Sequence, residues 1–198
     1  MVTPEPAVRT QRFPAAAEEL RLRRVVVLPF RVSGELARVP ERPDAPTPDE
    51  GAKLVGRYVA EALGAQGLEV IPADDLRGSL PAEITPTTPI DPVALARVAA
   101  DRFGADAVLM GVVDRYRERT GEAIGTTHPA SVSFRVTLHR APDGAPLWGA
   151  VFDETQAPLN ENVLNARRYP GGGTRWLTAE ELARWGADEL AKELMGPG

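Results

Sequence analysis

The chain has 198 residues, of which 43% are hydrophobic, enough for one domain of ordinary size with a sizeable core. Its 28 acidic residues outnumber its 23 Lys and Arg residues, giving a net charge of -5. This charge argues against nucleic acid as a partner, because binding the phosphate backbone needs clustered positive charge. Cysteine is absent, which excludes disulfides, thiolate metal ligands and cysteine nucleophiles.

The N-terminal residues 1–23 contain no apolar stretch long enough for a signal-peptide core or a membrane helix. Their Pro-rich start is typical of the tether of an exported protein whose targeting segment was removed, and equally of a disordered cytosolic tail. We therefore expect residues 1–23 to form a flexible tether and residues 24–198 to form the folded domain.

The first predicted elements are a strand, a long loop and a helix. Residues 24–30 are apolar and β-branched and contain a Pro near their end, which predicts a buried strand. Residues 31–48 contain four prolines and several charges, so they predict an exposed loop. A capping box from Thr47 to Glu50 then predicts a helix start.

A second strand and helix lead to the most apolar segment of the chain. Residues 68–72 predict a short strand, residues 73–90 a mostly irregular connection, and the pair Asp91 and Pro92 a second helix start. Residues 106–114 are too few to span a membrane and predict a strand buried on both faces, in the middle of a sheet.

The last elements have the pattern of an antiparallel meander followed by a helix. Residues 131–138 alternate apolar and polar side chains, a turn at 141–144 follows, and residues 147–152 predict the partner strand. A capping box at 177–182 predicts a C-terminal helix. The expected fold class is a single α/β (α+β) domain with three helices and a mixed sheet of about five strands.

No set of residues forms a recognisable catalytic site. His128 and His139 lack the helical partner of a zinc motif, and no Gly-x-Ser-x-Gly nucleophile elbow occurs. Adjacent carboxylates such as Asp153 and Glu154 point to opposite faces of a strand and are predicted to be strand-end solubilisers. We expect no enzyme, metal site or cofactor; a hydrolase triad assembled in three dimensions is the alternative.

The region from 156 to 176 is the leading candidate for a binding surface. It mixes polar, cationic and aromatic residues, and its three glycines at 171–173 lack the Lys-Ser/Thr ending of a phosphate-binding loop. A loop that simply wraps the sheet is the alternative. A basic ridge along residues 115–119 is a second candidate, with a solvated sheet edge as its alternative. The predicted partner-binding residues are Arg167, Arg168, Tyr169, Arg175 and Trp176.

Three local patterns carry a family resemblance. They are the strand at residues 25–30, the segment 67–72 that follows a helix, and residues 104–113 followed by two antiparallel strands. In this order of elements, from about residue 24 to residue 194, the chain resembles the α/β domain of bacterial envelope proteins related to the TolB N-terminal domain. The same domain class includes the curli secretion lipoprotein and lipoprotein activators of penicillin-binding proteins.

This resemblance implies a non-enzymatic periplasmic subunit that binds another envelope protein or assembles into a larger complex, for which a homo-oligomer is one form. It also implies a lipid anchor, on the outer membrane for example, although this chain has no lipobox Cys. Without a removed export signal the location would be cytoplasmic. The alternative function is a small-molecule or nucleotide-binding protein that uses the carboxyl ends of its parallel strands, near Phe30 and residues 72–74.

Overall fold

The structure, a computed structural model, describes residues 6–13, 22–38, 45–71, 91–121, 126–141, 143–156, 169–170 and 175–196. The strands of this part are β1 (Val8–Arg12), β2 (Arg24–Val27), β3 (Arg31–Val32), β4 (Glu69–Ile71), β5 (Ala107–Arg117), β6 (Thr120–Gly121), β7 (Thr126–His128), β8 (Ser131–Arg140) and β9 (Pro146–Thr155). Its α-helices are α1 (Pro48–Ala65), α2 (Pro92–Phe103) and α3 (Ala179–Met195).

Seven strands form one mixed sheet in the order β1-β9-β8-β5-β2-β4, with β3 pairing β5. Strands β2 and β3 lie parallel to β5, whereas β8 lies antiparallel to β5 and β9 antiparallel to β8. The predicted fold class and the antiparallel meander are therefore confirmed. The sheet is wider than the five strands expected, because β1 and the two-residue β3 also join it.

The helix starts lie where the sequence predicts them. In α1 the Thr47 hydroxyl accepts from the backbone N–H of Glu50 at 3.3 Å, and the Glu50 carboxylate accepts from the backbone N–H of Thr47 at 2.8 Å. The same reciprocal pair begins α3, and the Asp91 carboxylate accepts from the backbone N–H of Val93 in α2. Each cap satisfies N–H groups that have no partner inside the helix.

The flexible tether predicted for residues 1–23 is wrong for Val8–Arg12. These residues pair antiparallel with β9 along five positions, from Val8 opposite Phe152 to Arg12 opposite Trp148. Only Val8 of this strand is buried. Because its other side chains are exposed, β1 lacks the apolar alternation that marks a strand, and its pairing depends on the backbone of β9.

The helices cover the two faces of the sheet unequally. Helices α1 and α3 pack on the face that holds the larger core, whereas α2 packs against Val26 and Val108 on the opposite face. In the described part of the chain, α2 contacts β5 most extensively and also reaches β8. Arg135 of β8 and Asp153 of β9 are exposed there.

Glycines let aromatic rings fit between the layers. The ring of Phe30 lies between Gly56 of α1 and Gly111 of β5, and the ring of Phe152 lies under Gly186 of α3. A side chain at any of these glycines would meet the ring. None of the described helices is long and apolar enough to cross a membrane.

Candidate functional site

The start of α3 is tied to the end of β9 by one buried amide side chain. The Nε2 of Gln156 donates to the carbonyl oxygen of Arg175 at 2.8 Å, and its Oε1 accepts from the backbone N–H of Leu177 at 2.7 Å. Gln156 is only 3% exposed, so no bulk water can replace these bonds. The side-chain amide of Gln156 therefore joins the end of β9 to the residues that precede α3.

A second buried hydrogen bond, between Tyr169 and Glu154, lies beside the Gln156 amide. The hydroxyl of Tyr169 donates to Oε2 of Glu154 at 3.2 Å, and both residues are buried. The ring of Tyr169 lies 5.2 Å from that of Trp185 in α3, and Trp185 meets Phe152 of β9 edge-on. We call Glu154, Gln156, Tyr169, Arg175 and Leu177 the connection base.

Arg175 is fixed by an ion pair at the start of α3. Its Nη1 donates to the Glu181 carboxylate at 2.8 Å, and the same carboxylate accepts from the backbone N–H of Thr178. The Arg175 guanidinium is the main cause that lowers the pKa of Glu181 to about 2, against the opposing effect of burial. In return, the carboxylate raises the pKa of Arg175.

Replacing Glu181 with glutamine tests this ion pair through its pH dependence. Glutamine can still complete the capping box, so the substitution removes charge more than geometry. A carboxyl whose pKa is depressed on folding adds stability above its unfolded pKa and loses it as the pH falls through the folded value. We expect Glu181→Gln to lower the free energy of unfolding by about 0.5–1 kcal/mol at neutral pH, since the pair is partly exposed.

This difference should shrink as the pH falls from about 4.5 to about 2. Urea unfolding of both proteins at neutral pH and at several acidic values measures it. A difference that stays constant with pH would mean that the charge of Glu181 adds no stability.

The structure places the predicted partner-binding residues in different surroundings. Arg167 and Arg168 lie outside the described residues. Tyr169 is buried against α3, Arg175 is exposed but paired with Glu181, and Trp176 is half-buried. Their partner-binding role stays a prediction, and Tyr169 takes part in the connection base.

Sequence reasoning missed the roles of Glu154 and Gln156. The prediction that Glu154 is a strand-end solubiliser is wrong, since it is buried and accepts from Tyr169. A signal existed in the register: both residues continue the inward side of β9 after Phe152, two positions apart. A polar residue at an inward position predicts a buried hydrogen bond.

The other sequence candidates do not come together in the described part of the chain. The Nδ1 of His139 lies 3.0 Å from the carbonyl oxygen of Gly144 in its own hairpin, and no described group of three or more His, Asp or Glu side chains is arranged to hold a metal ion. In the basic ridge, Arg115 pairs with Asp153 and Arg119 donates to the carbonyl of Gly121. The Asp153 carboxylate therefore neutralises part of the positive charge of this ridge.

The carboxyl ends of the parallel strands are filled by aromatic side chains where they are described. Phe30 is 6% exposed, and the ring of Tyr116 lies under Gly51 of α1. Burial raises the pKa of the Tyr116 hydroxyl, so this group stays protonated at physiological pH. Residues 72–74, the other part of the predicted small-molecule site, lie outside the described residues.

No protein-family model matches this chain, and no curated protein matches it. Solved structures with some likeness include the PelC dodecamer from Paraburkholderia phytofirmans, with 23% identity over 78% of this chain and 86% of that chain, at a TM-score of 0.46. Lipoprotein GNA1162 from Neisseria meningitidis has 22% identity over 72% of this chain and 94% of that one, at a TM-score of 0.45.

The LpoB C-terminal domain from Salmonella enterica has 16% identity over 72% of this chain and 89% of that one, at a TM-score of 0.40. At TM-scores this low, the likenesses carry no conclusion about this chain.

Proposed function

We propose that this chain is a non-enzymatic interaction or assembly subunit of the bacterial cell envelope. In this proposal it is periplasmic, a lipoprotein in its native form, and binds a partner envelope protein or a second copy of itself. The envelope location rests on the resemblance of residues 24–194 to the TolB N-terminal domain class. The mode of action rests on the connection base.

The connection base is the observation that supports surface recognition most strongly. Gln156 holds the end of the connection at Leu177 against the sheet, and Glu154 holds Tyr169 within the connection. Binding residues act best when a rigid scaffold positions the segment that carries them. Arg and aromatic residues also contribute most to the affinity of protein interfaces, and this connection contains several.

Charge removal at Arg167 and Arg168 tests the proposal. We expect the double variant Arg167→Ala/Arg168→Ala to lose at least about tenfold in capture of the partner from a detergent extract of the native envelope. The melting temperature should stay the same as for the unmodified protein, since we expect these two side chains to bind the partner and not to stabilise the fold.

The matched control removes the same charge from another surface. Arg97 and Arg102 are exposed on α2, which packs on the face of the sheet opposite to α3. The variant Arg97→Ala/Arg102→Ala should capture the partner as well as the unmodified protein does. Equal capture by both double variants, or equal loss, would contradict a role for the connection.

A further inference from the structure

Strand β1 forms one edge of the sheet that the described residues build, with only β9 as a neighbour. The antiparallel register between the two strands is unbroken, from Val8 opposite Phe152 to Arg12 opposite Trp148. The next pair in this register is Phe13 with Leu147, and the N–H of Phe13 donates to the carbonyl of Leu147 at 3.0 Å.

This hydrogen bond tells which backbone groups of β1 face outward. In an antiparallel ladder, pairs that exchange hydrogen bonds alternate with pairs that do not. Because Phe13 bonds to β9, so do Gln11 and Arg9, two and four positions earlier. The N–H and C=O groups of Thr10 and Arg12 therefore point away from β9, to the open edge.

The side chains of this edge carry unbalanced positive charge. Arg9 and Arg12 are exposed, and no described carboxylate pairs with either of them. The two carboxylates of β9 are already in use, since Asp153 pairs with Arg115 and Glu154 accepts from Tyr169. The open edge is thus cationic in a chain whose net charge is -5.

We infer that β1 binds an extended acidic segment of a partner protein, which adds to the sheet as a further strand. Such an addition satisfies the outward backbone groups and pairs carboxylates with the two arginines. A second copy of β1 would bring two more cations to the same ribbon, and like charges across strands are unfavourable. This inference deepens the proposed function and rests on it, because it names the chemistry of a partner.

The spacing of the arginines sets the sequence of the segment. Arg9 and Arg12 are three residues apart, so their side chains lie on opposite faces of the sheet. A strand paired with β1 meets both only with acidic residues three positions apart. Two acidic residues at alternate positions both lie on one face and can meet only one arginine.

Three labelled peptides and the full chain test this inference by fluorescence anisotropy. The first is an eight-residue peptide of threonine and valine with glutamates at its third and sixth positions. The second has the same composition with glutamates at its third and fifth positions, and the third has lysines in place of the glutamates of the first. We expect saturable binding by the first peptide. The affinity should fall by at least about threefold from the first peptide to the second, and again from the second to the third.

Two substitutions at one residue separate strand addition from simple charge attraction. Thr10→Pro removes an outward N–H without touching the ladder to β9, whereas Thr10→Ala keeps that N–H. Thr10→Pro should weaken binding of the first peptide about tenfold or more, and Thr10→Ala by less than about twofold, at equal melting temperatures. Equal binding by the two variants, or no saturable binding by the unmodified chain, would overturn the inference.

Analytical ultracentrifugation of the same proteins tests whether a second copy of the chain, and not an acidic segment, pairs with β1. If the unmodified chain self-associates and Thr10→Pro makes it monomeric, a second copy fills the edge and the acidic-segment inference is wrong. Failure of the peptide experiment leaves the envelope-capture result of the arginine pair at 167 and 168 unaffected, so the inference and the proposed function can fail separately.

Discussion

Replacing Gly111 with alanine is expected to lower the free energy of unfolding by about 3 kcal/mol, the typical upper range for overpacking a core. A Cβ at this position would lie 2.3 Å from Cζ of the Phe30 ring. The ring has little room to move, because Gly56 of α1 lies on its other side, where a Cβ would be 3.1 Å away. Urea unfolding followed by circular dichroism measures the loss.

A helical glycine in open surroundings supplies the control. Nothing lies within 4 Å of a Cβ placed on Gly64 near the end of α1, so Gly64→Ala should stabilise the chain by about 0.5–1 kcal/mol. A second control adds Phe30→Leu to Gly111→Ala. The smaller side chain relieves the clash, so the two substitutions should together cost less than the sum of their separate costs. Additive costs would show that the ring does not set the requirement for glycine.

Replacing Gln156 with alanine is expected to lower the free energy of unfolding by about 2–4 kcal/mol, the lower part of the range for two unsatisfied buried groups. The substitution leaves two backbone groups at a buried site without a partner, the carbonyl of Arg175 and the N–H of Leu177. Each unsatisfied buried group costs about 1–3 kcal/mol. The N–H of Leu177 should also exchange with solvent deuterium much faster, because its acceptor is lost.

Two further variants test whether the loss of stability comes from the amide group of Gln156. Gln156→Glu keeps an acceptor for Leu177 but removes the donor to Arg175 and buries a carboxyl, so it should also be destabilising. Gln11→Ala changes an exposed residue of β1 and should stay within about 0.5 kcal/mol of the unmodified chain. A loss for Gln156→Ala no larger than that for Gln11→Ala would mean that the amide does not hold the connection.

Local signals explain which parts of the fold the sequence predicts. Capping boxes at Thr47 and Thr178 fix two helix starts, because a cap depends on residues within one turn. The alternation of residues 131–138 predicts β8, because one face of that strand is buried throughout. By contrast, β1 and β3 are short and mostly not buried, so their pairing comes from neighbouring strands distant in sequence.

The candidate site was predicted less completely for a similar reason. Composition alone points to the connection between β9 and α3, but it does not distinguish an anchoring residue from an exposed one. Tyr169 proves to be buried, and the anchoring amide of Gln156 bonds to residues about twenty positions away. Such bonds follow from the packing of α3 on the sheet, which a local pattern does not contain.

Site-specific photo-crosslinking in the native cell tests whether the connection between β9 and α3 contacts a partner protein. A benzophenone amino acid is placed at Arg168 in the connection and, in a second strain, at Arg102 on α2. We expect a discrete light-dependent adduct with one envelope protein, or with a second copy of the chain, from position 168 and not from position 102. The same adducts from both positions, or none from position 168, would contradict recognition through this connection.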